Sequence, residues 1–239
     1  MPGNIFYWVL NMSILGSATG LIVVVLRRIR ALPRFGVYLL WTLPLIRFLV
    51  PVGIGSPYSL LNFLSRFMIK TIVVGNTGSA PQYTMTNSLQ AAESYFPMEY
   101  KDGFLANIFY IAGILWLIVG AAAGLGTIVS YIVTKSALKN AEPVRDNIYR
   151  SDRVSSPAVY GIFRPKIILP GNIPEADTAY ILRHERIHIR RRDNLWRMIA
   201  VLTACIHWFN PLVWIFLKLF LTDMELACDA GVLKKLDDE

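Results

Sequence analysis

Three apolar stretches, each long enough to cross a lipid bilayer, constrain the fold of this chain more than any other feature. A transmembrane helix needs about 20 consecutive apolar residues. The first stretch (5–26) and the third (104–133) carry no charge, and the second (35–54) carries only Arg47. Because 54% of the 239 residues are hydrophobic, we predict a mainly α-helical, polytopic membrane protein with three transmembrane helices.

The basic residues predict how these helices are oriented. The short loop after the first span contains four arginines, whereas no Lys or Arg precedes that span, which argues against a cleaved signal peptide. Loops rich in Lys and Arg stay in the cytoplasm. We therefore expect an outside N-terminus, a transmembrane region over 1–133 with an outer loop at 55–103, and a cytoplasmic module over 134–239. Within the outer loop, 57–74 has the pattern of an interfacial amphipathic helix.

The same argument accounts for the net charge of +8. Most of the excess of Lys and Arg over Asp and Glu lies in the loops that the positive-inside rule assigns to the cytoplasm. No base-reading motif accompanies it, so we expect no direct partner among nucleic acids. Cys205 and Cys228 both fall in the cytoplasmic half, where a structural disulfide is not expected.

Residues 184–188 read His-Glu-Arg-Ile-His and predict a zinc site. Residues four apart share one face of a helix. Two imidazoles on one face suit Zn²⁺, and Glu185 between them is placed to hold an attacking water. The alternative is a pair of surface histidines on a basic helix, since arginines surround the motif: Arg183, Arg186, Arg190, Arg191 and Arg192.

The segment before the motif predicts a small β-hairpin. Val154–Pro170 alternates weakly between apolar and polar residues, and Ile167–Leu169 is its predicted second strand. Asn172, followed three residues later by Glu175, marks the start of the helix that carries the motif.

A catalytic zinc site needs a third protein ligand, and the available carboxylates lie far downstream. Apart from Asp193, they are Asp223, Glu225, Asp229, Asp237, Asp238 and Glu239. The apolar stretch 195–221 comes between, and as one straight helix it would be roughly 40 Å long. The carboxylates would then lie across the membrane from the histidines.

Asn210-Pro211, in the middle of that stretch, resolves this conflict. Proline removes a helical hydrogen bond and restrains the residue before it. We therefore predict a membrane-associated helical hairpin that returns Glu225 to the metal. Asp229, four residues later on the same helical face, is placed to brace a ligand imidazole or is a solvated charge. His207 is interpreted as an interfacial histidine beside the turn and not as a ligand.

Together these motifs resemble the membrane metalloprotease module of BlaR/MecR-type antibiotic-sensing signal transducers. The resemblance covers about 154–233 and rests on the HExxH motif, Arg192-Asp193, 208–214 and 225–229. It implies a zincin-like fold, with His184, His188 and Glu225 as zinc ligands and Glu185 as general base. We expect Asp193, like Asp229, to contact a ligand imidazole and orient it without binding the metal.

The resemblance also implies a function. The chain would be a bacterial zinc metalloendopeptidase that cleaves a cytoplasmic transcriptional repressor, or itself, in regulated proteolysis. Family members with full signalling capacity continue into an extracellular penicillin-binding sensor, which we expect to be lacking here, so a separate sensor protein is one partner left open. A homodimer is also left open. The alternatives are an HtpX-type quality-control protease and a non-catalytic transducer with a structural zinc site.

Overall fold

The computed structural model describes residues 2–50, 103–138 and 141–237. The predicted amphipathic helix at 57–74 lies outside these residues, and so does the predicted outer loop apart from its last residue. The described chain is mainly helical, with one small sheet. Its helices are α1 (Pro2–Leu26), α2 (Arg34–Leu40), α3 (Thr42–Leu49), α4 (Gly103–Ala137), α5 (Glu175–Arg191), α6 (Asp193–Ile206) and α7 (Pro211–Asp237). Its strands are β1 (Glu142–Arg145), β2 (Ile148–Arg150), β3 (Ala158–Tyr160) and β4 (Lys166–Leu169).

Two of these helices, α1 and α4, are long and apolar enough to cross a membrane. They correspond to the predicted spans at 5–26 and 104–133, and they pack against each other. The described residues bury almost none of the most apolar stretch of α4. Such a surface is costly in water and stable against lipid, so this helix fits a membrane protein.

The predicted second span, 35–54, takes a different form in the described residues. Its helical part consists of α2 and α3, which are joined at Trp41 and end at Leu49. Pro44 explains the break, because its ring crowds the carbonyl of Leu40 and it has no N–H to donate. Together α2 and α3 are too short to cross a bilayer, and residues 51–54 lie outside the described part. A third transmembrane helix is therefore not confirmed.

The sheet has the strand order β1-β2-β4-β3. Strands β3 and β4 pair antiparallel with Val159 opposite Ile167, which confirms the predicted hairpin. Its turn needs glycine, because Gly161 has a φ of +97° and a Cβ there would meet the Arg164 carbonyl oxygen. Strands β1 and β2 were not predicted from the sequence. Strand β2 pairs in parallel with β4.

The helix that carries the HExxH motif begins later than predicted. Pro174 precedes α5 in an extended conformation, with ψ of 138°, and no side chain caps the helix. Asn172 was therefore the wrong cap, because the extended Pro174 separates it from the first helical turn. The buried faces of β2 and β4 pack against this helix through Ile181, Leu182 and Ile189.

The predicted helical hairpin is present as α6 and α7, which pack against each other. Asn210 lies in the turn between them, and its side-chain oxygen accepts a hydrogen bond from the Leu212 amide at 3.0 Å. Its side-chain nitrogen donates to Ser13 at 2.8 Å and Ser17 at 2.7 Å, both on α1. The turn is thus held against α1, and α7 runs back toward α5.

The main core lies between α2, α3, α6 and α7. Its buried side chains include Trp41, Phe48, Val213, Phe216, Phe220 and Met224. Asp223 on α7 also lies here, where it accepts hydrogen bonds from Arg27 at 2.8 and 3.1 Å and from the Trp41 indole at 2.8 Å. This buried carboxylate joins the segment between α1 and α2 to the helix that carries Glu225.

Candidate metal centre

The two histidines of the HExxH motif converge in the structure. His184 and His188 occupy successive turns of α5, and their Nε2 atoms are 3.1 Å apart. His188 is buried, and the side chain of His184 is 20% exposed. The helical spacing alone accounts for this placement, since residues four apart lie one above the other.

Glu225 of α7 reaches the same point from the neighbouring helix. Its Oε2 atom lies 3.3 Å from Nε2 of His188 and 3.6 Å from Nε2 of His184. Its other oxygen accepts a hydrogen bond from Arg197 of α6 at 3.1 Å. The structure thus brings the three predicted ligands together, because the hairpin returns α7 to α5.

Each imidazole also contacts a carboxylate through its Nδ1 atom, on the side of the ring that faces away from the centre. Nδ1 of His188 lies 2.6 Å from Asp193, and Nδ1 of His184 lies 3.2 Å from Asp229. An Nδ1–H that donates to a carboxylate leaves Nε2 as an acceptor that points into the centre. Asp193 and Asp229 therefore lie where the sequence analysis expected bracing residues.

These contacts provide a test of whether the residues fit zinc. Two imidazole nitrogens and a carboxylate oxygen converge as acceptors, an arrangement that is unfavourable unless a proton or cation lies among them. Two ligands of a tetrahedral zinc ion with bonds near 2.0–2.1 Å are roughly 3.3 Å apart. The observed separations of 3.1, 3.3 and 3.6 Å bracket that value. The donor set fits Zn²⁺.

Without metal, protons take the place of the cation. The pKa of His184 rises to about 10, because its ring interacts with Cys228 and Glu225. Burial lowers the pKa of His188, but hydrogen bonds with Asp193, Cys228 and Glu225 outweigh it and bring the value to about 11. The same two rings hold the pKa of Glu225 far below its usual range.

Glu185, the intervening residue of the motif, is buried beside this cluster. Burial raises the pKa of its carboxyl group, and the charges of His188 and His184 only partly oppose the increase. A carboxylate with a raised pKa accepts a proton more readily near neutral pH. The position and the electrostatics of Glu185 both suit a general base.

Asp193 begins α6 directly after Arg192, which adopts the left-handed conformation with φ of 56°. This one-residue turn places the Asp193 carboxylate beneath His188. The carboxylate is fully buried and also accepts hydrogen bonds from Arg191 at 2.6 Å and Tyr38 at 3.1 Å. Although burial opposes ionisation, the hydrogen bonds from His188 and Arg191 keep the pKa of Asp193 below its ordinary value.

Cys228 is the residue that the sequence analysis missed. Its sulfur and one ring nitrogen from each histidine lie within 4.8 Å of one another, and the residue is fully buried. The sulfur donates a hydrogen bond to the His184 carbonyl oxygen at 3.4 Å. The signal was its position three residues after Glu225, which places both on one helical face.

A cavity of about 250 Å³ lies next to the centre, between β3, the β3–β4 turn and His188. Strand β3 is at the end of the sheet. The Asn194 side chain donates to the carbonyl groups of Val159 at 2.9 Å and Gly161 at 3.1 Å. A strand added at this edge of the sheet would use these same carbonyl groups as hydrogen-bond acceptors.

His207 lies away from the candidate metal centre, at the turn that follows α6. The sequence had also indicated a position beside the turn and no role as a ligand. It is fully buried, and its Nε2 atom lies 3.0 Å from the Phe48 carbonyl oxygen. The Phe48 ring packs against it at 4.9 Å. His207 thus anchors the end of α3 to the turn.

The chain is similar in sequence to known proteins. The sequence profile of the BlaR1 peptidase M56 family matches residues 7–239. A stretch of 91 residues is 44% identical to the "Regulatory protein BlaR1" of Bacillus licheniformis and covers 37% of this chain and 15% of that protein. A 91-residue stretch is 32% identical to the "Methicillin resistance mecR1 protein" of Staphylococcus aureus and covers 36% and 16%, respectively. The match therefore spans less than a fifth of the length of these relatives.

Proposed function

The chain belongs to the BlaR1 peptidase M56 family, and we propose that it is a zinc-dependent membrane endopeptidase. The observation that carries this proposal is the convergence of three acceptor atoms, from His184, His188 and Glu225, within 3.1–3.6 Å of one another. Glu185 is buried at the same place. This is the ligand number of catalytic zinc sites, which keep one position open for water or substrate.

The residues have distinct roles in this proposal. His184, His188 and Glu225 hold the zinc ion, and Asp193 and Asp229 orient the two imidazoles. When bound, zinc supplies a Lewis acid that polarises the scissile carbonyl and lowers the pKa of water. Glu185 accepts the proton of the attacking water and donates it to the leaving amine.

The cavity beside His188 and the edge of β3 support a peptide substrate. An extended chain that joins the β3 edge would donate its own N–H groups to Val159 and Gly161 and displace Asn194. Because these are main-chain contacts, they align a peptide whatever its side chains. The cavity of about 250 Å³ then lies between that peptide and the metal ligands.

We infer the biological role from the relatives, whose names describe a regulatory protein and methicillin resistance. The substrate is a cytoplasmic transcriptional repressor or the protein itself, and cleavage serves regulated signalling. The region from residue 134 onward faces the cytoplasm, and the N-terminus faces outward, as the basic residues predict. A cysteine at Ser136 should then react with an impermeant thiol reagent only after permeabilisation, whereas one at Asn4 should react in intact cells. The reverse pattern would contradict this orientation.

A second candidate function is a non-catalytic transducer in which zinc only joins α5 to α7. The position of Cys228 favours it, because a fourth protein ligand is typical of structural zinc sites. Against it, a structural site has no use for the buried carboxylate of Glu185.

Two substitutions separate these functions. Glu185→Gln should retain zinc and abolish cleavage of unfolded casein and of the protein itself, because Glu185 acts as a base and not as a ligand. In a Cys228→Ala background, which removes the neighbouring thiol, Glu225→Ala should lose most of its zinc, since only two imidazoles then hold the metal. The control is Glu142→Gln, an exposed carboxylate on β1, which should change neither property. Unchanged cleavage by Glu185→Gln would contradict the protease, and full zinc content in the Cys228→Ala/Glu225→Ala double variant would contradict the third ligand.

A further inference from the structure

The buried thiol of Cys228 has two competing partners in the structure. One is the His184 carbonyl oxygen, to which the sulfur donates at 3.4 Å. The other is the centre itself, because the sulfur lies within 4.8 Å of a ring nitrogen of each histidine. The residue is fully buried, so these two partners, among the residues that the structure describes, compete for the sulfur.

The chemistry of the centre favours the second partner when metal is present. Thiolate sulfur is the softest donor that proteins offer to zinc, and sites with mixed cysteine and histidine ligands are common. Cys228 follows Glu225 by three residues and precedes Asp229, so all three project from one stretch of α7 toward α5. A movement of the Cys228 side chain would exchange one partner for the other.

We propose that Cys228 is a fourth zinc ligand that closes the centre in a resting form of the protein. This inference rests on the proposed metal centre and concerns its regulation. When the sulfur binds, the S–H bond and the hydrogen bond to the His184 carbonyl break, and the thiol proton leaves with the water molecule that the sulfur displaces. When the thiol takes up a proton and returns to that carbonyl, the fourth position is free for water. The resting form is therefore latent as a protease.

Cobalt provides a direct test, because cobalt bound to sulfur has a charge-transfer absorption band in the near ultraviolet, which nitrogen and oxygen ligands do not produce. The whole chain, freed of zinc and loaded with one equivalent of Co²⁺, should show this band. Cys228→Ala should lose the band and still bind cobalt through the other three ligands. Cys205→Ala is the matched control and should retain the band, since that buried cysteine lies 3.6 Å from Thr127 on α4.

The possible results are distinguishable. Stoichiometric cobalt without the band would overturn the role of Cys228 and leave the three-ligand protease standing. A band that survives in Cys228→Ala would also overturn it. A chain that takes up no cobalt would contradict the metal centre and this inference together. If latency is correct, Cys228→Ala should cleave casein faster than Cys205→Ala, and slower cleavage would contradict the latent form.

Discussion

Replacing Asp193 with alanine removes a carboxylate that serves three side chains at once. Asp193 is fully buried and lies 2.6 Å from His188, 2.6 Å from Arg191 and 3.1 Å from Tyr38. The Arg191 side chain is itself only 13% exposed. Without Asp193, a buried positive charge loses its counter-ion, and the hydroxyl group of Tyr38 loses its acceptor.

The size of the effect follows from this burial. Breaking a buried ion pair by removing one partner costs about 3–5 kcal/mol. For a chain of this length each kcal/mol lowers the Tm by about 2–4 °C, so Asp193→Ala should lower the Tm of the metal-free protein by about 6–20 °C. Zinc affinity should also fall about 10- to 100-fold, because His188 loses the group that orients it.

Asp229 provides a matched control within the same centre. It makes the equivalent contact with His184, at 3.2 Å, but its side chain is 52% exposed. An exposed pair contributes about 0–1 kcal/mol, so Asp229→Ala should lower the Tm by less than about 4 °C. Its zinc affinity should nevertheless fall about 10- to 100-fold, as for Asp193→Ala.

The assay is thermal unfolding in detergent, followed by tryptophan fluorescence with a chelator present, together with zinc titration of each variant. The chelator matters, because bound zinc would itself raise the Tm by mass action. If metal-free Asp193→Ala and Asp229→Ala unfold at the same temperature, the buried contacts of Asp193 do not stabilise the fold as argued. If Asp193→Ala binds zinc as tightly as the unaltered protein, its role as a brace is wrong.

Two further predictions follow from the same structure. In the metal-free protein the pKa values of His184 and His188 are raised to about 10 and 11, so their contribution to stability is full below pH 6.5 and is lost as the pH rises through those values. The Tm measured in chelator should therefore fall between pH 6.5 and 10, and a rise over that range would contradict the assigned contacts. Gly20→Leu should lower the Tm by about 2–12 °C, since its side chain would collide with the Phe216 ring and overpacking costs about 1–3 kcal/mol. Gly124→Leu, which enters open space, should leave the Tm unchanged, and equal effects of the two would refute the close contact at Gly20.

Features that depend on neighbouring residues could be predicted from the amino-acid sequence. The spacing of His184 and His188 places both imidazoles on one face of a helix, whatever surrounds that helix. Pro211 breaks a helix through its own covalent structure, so the hairpin of α6 and α7 could be predicted. The return of Glu225 to the histidines followed from that break. The long apolar runs of α1 and α4 were equally local signals.

Features that depend on contacts between distant segments could not be predicted in this way. Tyr38 reaches Asp193 across 155 residues of sequence, and Trp41 reaches Asp223 across 182. No local pattern encodes such pairs, because they arise when whole helices pack against one another. The break at Trp41 had a local signal in Pro44, yet the apolar composition of 35–54 favoured a single span. Cys228 had the correct spacing from Glu225, but only the packing of α7 against α5 brings its sulfur to the histidines.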